Sequence, residues 1–343
     1  MRTWLLLASL GTAALLSPVS NAADARQGRA LCYQSRFYKD VVHGCTETIE
    51  WGHETGAELA KAYVRRCTAY FDNREFDLAL ADFNQAVAME PNKADHYLSR
   101  GATYFAMENF PAAIADTTKA ILMRPGDADI HWYRGIAYQG NNELELALVD
   151  YSEVIRLRPD FARAYNNRGT IYSDLGEYDK ALEDYGRALK LDPRHAYAFN
   201  NRGNIYVHRD MLKRALSEYD QAPQIDPDYF EALVSRCWVR GMLNQQLDGA
   251  LADCSRANAT HPNDSFVRNG LGLVYFRAGR FADALAILNM ALMNKSDDPD
   301  NLFVRGLVRQ HLGDQAGADA DIKAALAILP TIGEYLASYG LKP

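Results

Sequence analysis

Arginine stands at positions 66, 100, 134, 168, 202, 236 and 305, and an acid follows each by sixteen or seventeen residues: Asp82, Asp116, Asp150, Asp184, Glu218, Asp253 and Asp321. A row of guanidinium groups could read an acidic partner, or each could be neutralised within the protein by its own acid. One place in the series decides between these. Leu271 falls where an arginine is due, and Ile287 falls where its acid is due. Coordinated exchange is what an internal pair requires, because removing one partner strands the other. Pairing with the acid of the preceding repeat would leave Asp253 facing Leu271 and Ile287 facing Arg305. The arginines are therefore expected to belong to the scaffold.

Other chemistry has little support. His43 and His53 are ten apart, off any single helical face, and with His195 and His208 they form no HExxH pattern. No GxSxG, phosphate loop or dinucleotide fingerprint occurs; the nearest glycine string is Gly270-Leu271-Gly272. None of the five cysteines forms a CxxC pair, which argues against a zinc ribbon or dithiol site. No catalytic, metal or cofactor-binding residue is expected, and the chain is not read as an enzyme.

Hydrophobic residues at 48% and charged residues at 24% suit a soluble chain with an extended core. A net charge of -7 argues against nucleic acid as a partner. Residues 1–22 read as an export signal: Arg2, an apolar run from Trp4 to Leu16, and a small-x-small site at Ser20-Asn21-Ala22. The run is shorter than the roughly 20 residues a spanning helix needs, and no later stretch is apolar enough to insert the mature chain in a membrane. A periplasmic or secreted location follows, where disulfides persist.

The elements that position these residues repeat every 34 positions. Pro91, Pro125, Pro159, Pro193 and Pro227 share that spacing, as do Tyr70, Tyr104, Tyr138, Tyr172 and Tyr206, and Ala79, Ala113, Ala147, Ala181 and Ala215. Small residues permit close helix approach, and proline ends the second helix of each unit. The pattern resembles the tetratricopeptide repeat (TPR) family, with small residues at positions 8, 20 and 27 and proline at 32. The resemblance implies an all-α, right-handed solenoid of antiparallel helix pairs. Eight units are expected over 60–332: 60–93, 94–127, 128–161, 162–195, 196–229, 230–264, 265–298 and 299–332. Residues 23–59 would form an N-terminal cap with a degenerate repeat, and 333–343 a C-terminal capping helix.

The resemblance also places the cysteines. Cys237 takes position 8 of the sixth unit and Cys254 lies near position 24, on facing helices, so they are expected to pair. Cys32 and Cys45 form the second expected pair, joining a short first helix to the degenerate repeat. Cys67, with Phe83 at its own position 24, should be a free, buried core residue.

In this family, first-helix positions 2, 5, 6, 9 and 12 or 13 line an inner surface that commonly holds peptides. Mapped here, they give Trp132 and Tyr133; Arg163, Asn166, Asn167 and Thr170; Tyr197, Asn200, Asn201 and Asn204; and Glu231, Val234 and Trp238. Asparagine amides donate and accept at once, as an extended peptide backbone does. The set of basic residues that clamps chaperone C-termini is missing from any three successive units. The implied function is an exported scaffold or adaptor that binds proteins or peptides on its concave face. The alternative is a self-associating structural subunit of an envelope assembly.

Overall fold

The computed structural model describes residues 18–343. They form nineteen α-helices, with no strand among the described residues. The expected leader lies outside the described residues up to position 17, and α1 (Pro18–Gln34) opens within its last five residues. The chain divides into two compact units, Met1–Pro159 and Asp160–Pro343.

In the first unit, α1 packs on α2 (Tyr38–Trp51). Three antiparallel pairs follow: α3 (Gly56–Asp72) with α4 (Phe76–Met89), α5 (Ala94–Ala106) with α6 (Phe110–Met123), and α7 (Ala128–Gly140) with α8 (Leu144–Leu157). α3 starts at Gly56 rather than Ala60, and α1, at 17 residues, is longer than the short helix expected there. Gly44 allows α1 and α2 to approach. A Cβ at Gly44 would sit 2.5 Å from the Gly28 carbonyl oxygen and 2.6 Å from the Cys32 nitrogen. Cys32 and Cys45 join at this contact, with Cα atoms 4.5 Å apart.

The second unit contains five pairs: α9 (Ala162–Asp174) with α10 (Tyr178–Leu191), α11 (Ala196–His208) with α12 (Leu212–Ile225), α13 (Phe230–Leu243) with α14 (Leu247–Thr260), α15 (Ser265–Arg277) with α16 (Phe281–Asn294), and α17 (Pro299–His311) with α18 (Gln315–Ile328). α19 (Ile332–Ser338) then closes the core, where Ile332, Leu336 and Leu341 bury in one cluster with Phe303.

Each pair is held by a match of volumes between its helices. A Cβ at Gly203 would meet Tyr219 Cε1 at 2.6 Å, one at Gly135 would meet Tyr151 Cε1 at 2.8 Å, and one at Gly272 would meet Leu288 Cδ2 at 2.5 Å. The bulky residue of the second helix occupies the space the glycine leaves empty. Where the glycine is replaced, its opposite number changes too. Cys67 buries with Phe83, while Cys237 bonds to Cys254 with Cα atoms 5.7 Å apart. Cys67 is free and buried.

Most first helices end in a left-handed residue two places beyond the last turn. Arg74, Glu108, Asn142, Gly176, Asp210, Gly279 and Gly313 all have φ between 55° and 83°. The next amide then reaches back five residues, as from Glu75 to the Tyr70 carbonyl at 2.8 Å and from Met211 to Tyr206 at 2.8 Å. The extra residue of the sixth repeat lengthens α13 by one residue, and its turn carries two left-handed residues, Asn244 and Gln246.

Candidate functional site

The arginines are scaffold in the structure. Arg66, Arg100, Arg134, Arg168, Arg236 and Arg305 each send Nε and Nη2 to both oxygens of the aspartate in their own repeat, at 2.6–2.8 Å. Those aspartates are 1–7% exposed, so the acid is removed from any acidic-partner surface along with its arginine. Leu271 is buried in an apolar cluster against which Ile287 packs, in the place the ion pair would take.

The sequence reading missed a third partner. Nη1 of Arg100 reaches Asn84 Oδ1 at 2.8 Å, and that of Arg305 reaches Asn289 Oδ1 at 3.0 Å. Arg134 and Arg236 reach Thr118 and Asp220 in the same way, at 3.3 and 3.5 Å. Each acceptor lies sixteen residues before its arginine, on the second helix of the preceding repeat. The guanidinium thus ties three helices together. The acceptors share a polar atom at that offset but no residue type, so the sequence carries only a weak signal for them.

Of the residues assigned to peptide binding, Trp132 and Tyr133 lie on α7 of the first unit, half-buried, with rings edge to face 5.1 Å apart. The rest lie in the second unit. Arg163 and Tyr197 are exposed, and the Tyr197 ring lies 4.8 Å from that of Tyr229. Asn166 and Asn200 differ from the solvated surface expected: they are 7% and 3% exposed. Their place on the first helix faces the packing between neighbouring repeats. Asn201 donates to Asn166 Oδ1 at 3.3 Å and Thr170 Oγ1 at 3.4 Å, and Asn166 donates to Asn167 Oδ1 at 3.2 Å. These amides bind one another across α9 and α11.

Asn204 and Trp238 belong to a different feature, a cavity of about 420 Å³ between α11, α12, α13, α15 and the start of α17. Its walls are Val207, Val234, Val239, Trp238 and Phe266, and its polar groups are Asn204, Ser235, Asn269, Lys295, Asp298 and Asp300. Tyr219 closes the base and donates to Asn204 Oδ1 at 2.6 Å. Asp298 caps α17 by accepting from the Asn301 amide at 3.0 Å and faces Lys295 at 3.4 Å. Burial pushes the Asp300 carboxyl up to about 6; Asp298 adds to this and Lys295 opposes it. Phe266 and Asn269 hold positions 2 and 5 of the seventh repeat, and Asp300 position 2 of the eighth, beyond the repeats in which sequence reading sought the surface. Among the described residues, no three of His, Cys, Asp and Glu gather as a metal site, and no helix is long and apolar enough to cross a membrane.

Models of the tetratricopeptide repeat match residues 65–128, 162–195 and 242–301, and a TPR repeat model matches 140–176. The chain belongs to the tetratricopeptide repeat family. Among solved structures, this TPR chain is similar to one from the APC/C hetero-tetramer Cut9-Hcn1, with 16% identity over 93% of this chain and 62% of that one, at a TM-score of 0.55. A tetratricopeptide repeat protein from Parabacteroides merdae ATCC 43184 is 19% identical over 72% of this chain and 98% of its own, at a TM-score of 0.49. YrrB, described as a TPR protein with an unusual peptide-binding site, is 25% identical over 56% of this chain and 97% of its own, at a TM-score of 0.45. No curated protein matches the chain.

Proposed function

We propose that this protein is an exported TPR scaffold that binds a peptide segment of a protein partner, and that the second unit's cavity holds part of that segment. The observation that carries the reading is the cavity itself. First-helix side chains of neighbouring repeats, Asn204, Trp238, Phe266 and Asn269, converge on about 420 Å³ of space with apolar walls and a few polar groups. That is the composition of a ligand pocket. Aromatic surface supplies contact area at low entropic cost, and the asparagines can read backbone amides. Export is supported by the leader and by two cysteine pairs at disulfide distance.

Affinity capture from an envelope fraction tests the reading, comparing the natural chain with Phe266→Ser. Phe266 is 76% exposed, so its loss leaves the core intact. Partners held by the natural chain and lost from the variant would support the cavity; identical capture would move the site elsewhere. N-terminal sequencing of the same material should find a mature chain starting near Ala23.

The self-associating alternative finds support in the first unit, where Leu122 and Val149 on α6 and α8 are 75% and 63% exposed. A concentration-dependent particle size that Leu122→Lys abolishes would favour it.

A further inference from the structure

Building on the peptide-binding reading, we infer that the second unit's cavity selects a basic side chain, an arginine of the bound segment, with its guanidinium at Asp300 and its aliphatic stem along Trp238 and Phe266. Three charges line the cavity: Lys295, Asp298 and Asp300. Lys295 Nζ lies 3.4 Å from Asp298, whose carboxylate also caps α17. That leaves Asp300 as the acid with no close cation of its own: among the described residues no ion pair includes it, and its carboxyl is met only by its own backbone amide and, at longer range, by Lys295. A partly desolvated carboxylate in a cavity shared with Val207, Val234 and Trp238 has lost water contacts that its own amide and Lys295 only partly replace, since burial still outweighs them.

A ligand that replaces them needs a positive head, and the walls call for an apolar stem behind it. Arginine has both. Its planar guanidinium can stack on an indole while donating to a carboxylate, and it is more weakly hydrated than an ammonium. The elevated Asp300 carboxyl, at about 6, agrees with an acid awaiting a counter-ion. The groups facing it are Asp298 and Lys295 from the preceding loop, Tyr335 from α19 and Tyr219 across the cavity on α12. Neither α13 nor α15 places an ionisable side chain on the lining.

The test uses the full mature chain and short fluorescent peptides that differ only at one central position: arginine, lysine, citrulline or leucine. Binding is followed by anisotropy for the natural chain and for Asp300→Asn. The arginine peptide should bind about tenfold tighter than its citrulline twin, a difference of about 1.4 kcal/mol. That advantage should vanish in Asp300→Asn, while the leucine peptide binds both chains alike. It should also narrow as pH falls through 6, where the acid takes up its proton in the empty cavity. An arginine advantage that is absent, or that survives in Asp300→Asn, would overturn the inference and leave peptide binding standing. Failure of every peptide to bind would overturn both. Displacement of the arginine peptide by an equal concentration of spermidine would replace the peptide with a small free cation and equally refute it.

Discussion

Arg100 holds Asp116 through two hydrogen bonds of 2.7 and 2.8 Å, while the same two places in the seventh repeat are Leu271, buried in an apolar cluster, and Ile287, half-buried against it. One fold therefore accepts either a satisfied ion pair or an apolar pair at this site, but not a mixture. Arg100→Leu alone strands a carboxylate that is 7% exposed and should cost about 1–3 kcal/mol. Arg100→Leu with Asp116→Ile should recover much of that. A double-mutant cycle by urea unfolding reads the coupling directly, and additive losses would show the pair to be coincidental.

The three-helix tie predicts a gain as well as a loss. Sixteen residues before Arg202 stands Gly186, with no side chain to accept from the guanidinium's Nη1 as Asn84 does from Arg100. Arg202 makes a single bond to Glu218, at 2.7 Å. A Cβ at Gly186 would meet nothing within 4 Å. Gly186→Asn should stabilise the protein by about 1 kcal/mol, from the new acceptor together with removal of a mid-helix glycine. Gly186→Ala separates the two contributions, since it supplies only the second. A gain no larger for asparagine than for alanine would refute the tie.

These two sites mark what was legible in the sequence. The arginine, its acid and their joint exchange were readable because each follows residue type at a fixed offset. The acceptor was not, because Asn84, Thr118, Asp220 and Asn289 share only a polar atom at the right distance. The turns were hidden for a similar reason. Arg74, Glu108 and Asp210 adopt the left-handed conformation that glycine announces only at 176, 279 and 313. Asn166 and Asn200 carried the surface signal of their family position yet lie in the packing between repeats, since a helical offset does not say how closely the next repeat approaches. The cavity depends on side chains from five helices and a loop, and no single repeat carries that pattern.

The cysteines give a third expectation. Non-reducing peptide mapping should link Cys32 to Cys45 and Cys237 to Cys254, leaving Cys67 as a thiol. Burial pushes the Cys67 thiol up, so it should resist alkylation until the protein unfolds. The Cys237–Cys254 link spans 17 residues, and breaking a loop of that size should cost about 3 kcal/mol, seen as a lower Tm in reductant. Any link that includes Cys67, or a Tm indifferent to reductant, would contradict the assignment.

Asp300 should reveal its setting through stability alone, with no ligand present. Its carboxyl, near 6 in the folded protein against an ordinary value of 3.8, binds its proton more tightly in the folded state. Its contribution to stability is therefore greatest below the unfolded value and is lost as pH rises through about 6. At neutral pH the charged group is a liability of about 1–2 kcal/mol, allowing for partial solvent access, and the helix N-terminus offsets part of it. Asp300→Asn should accordingly raise the unfolding free energy near pH 7.5 by about 1 kcal/mol and change it little near pH 4. Urea unfolding at the two pH values measures the difference. A variant less stable than the natural chain at neutral pH would show the carboxylate to be held by the fold rather than exposed to the cavity. A stabilised variant that has lost its preference for arginine would show what the carboxylate is kept for: stability given up in the empty protein and recovered when a cation arrives.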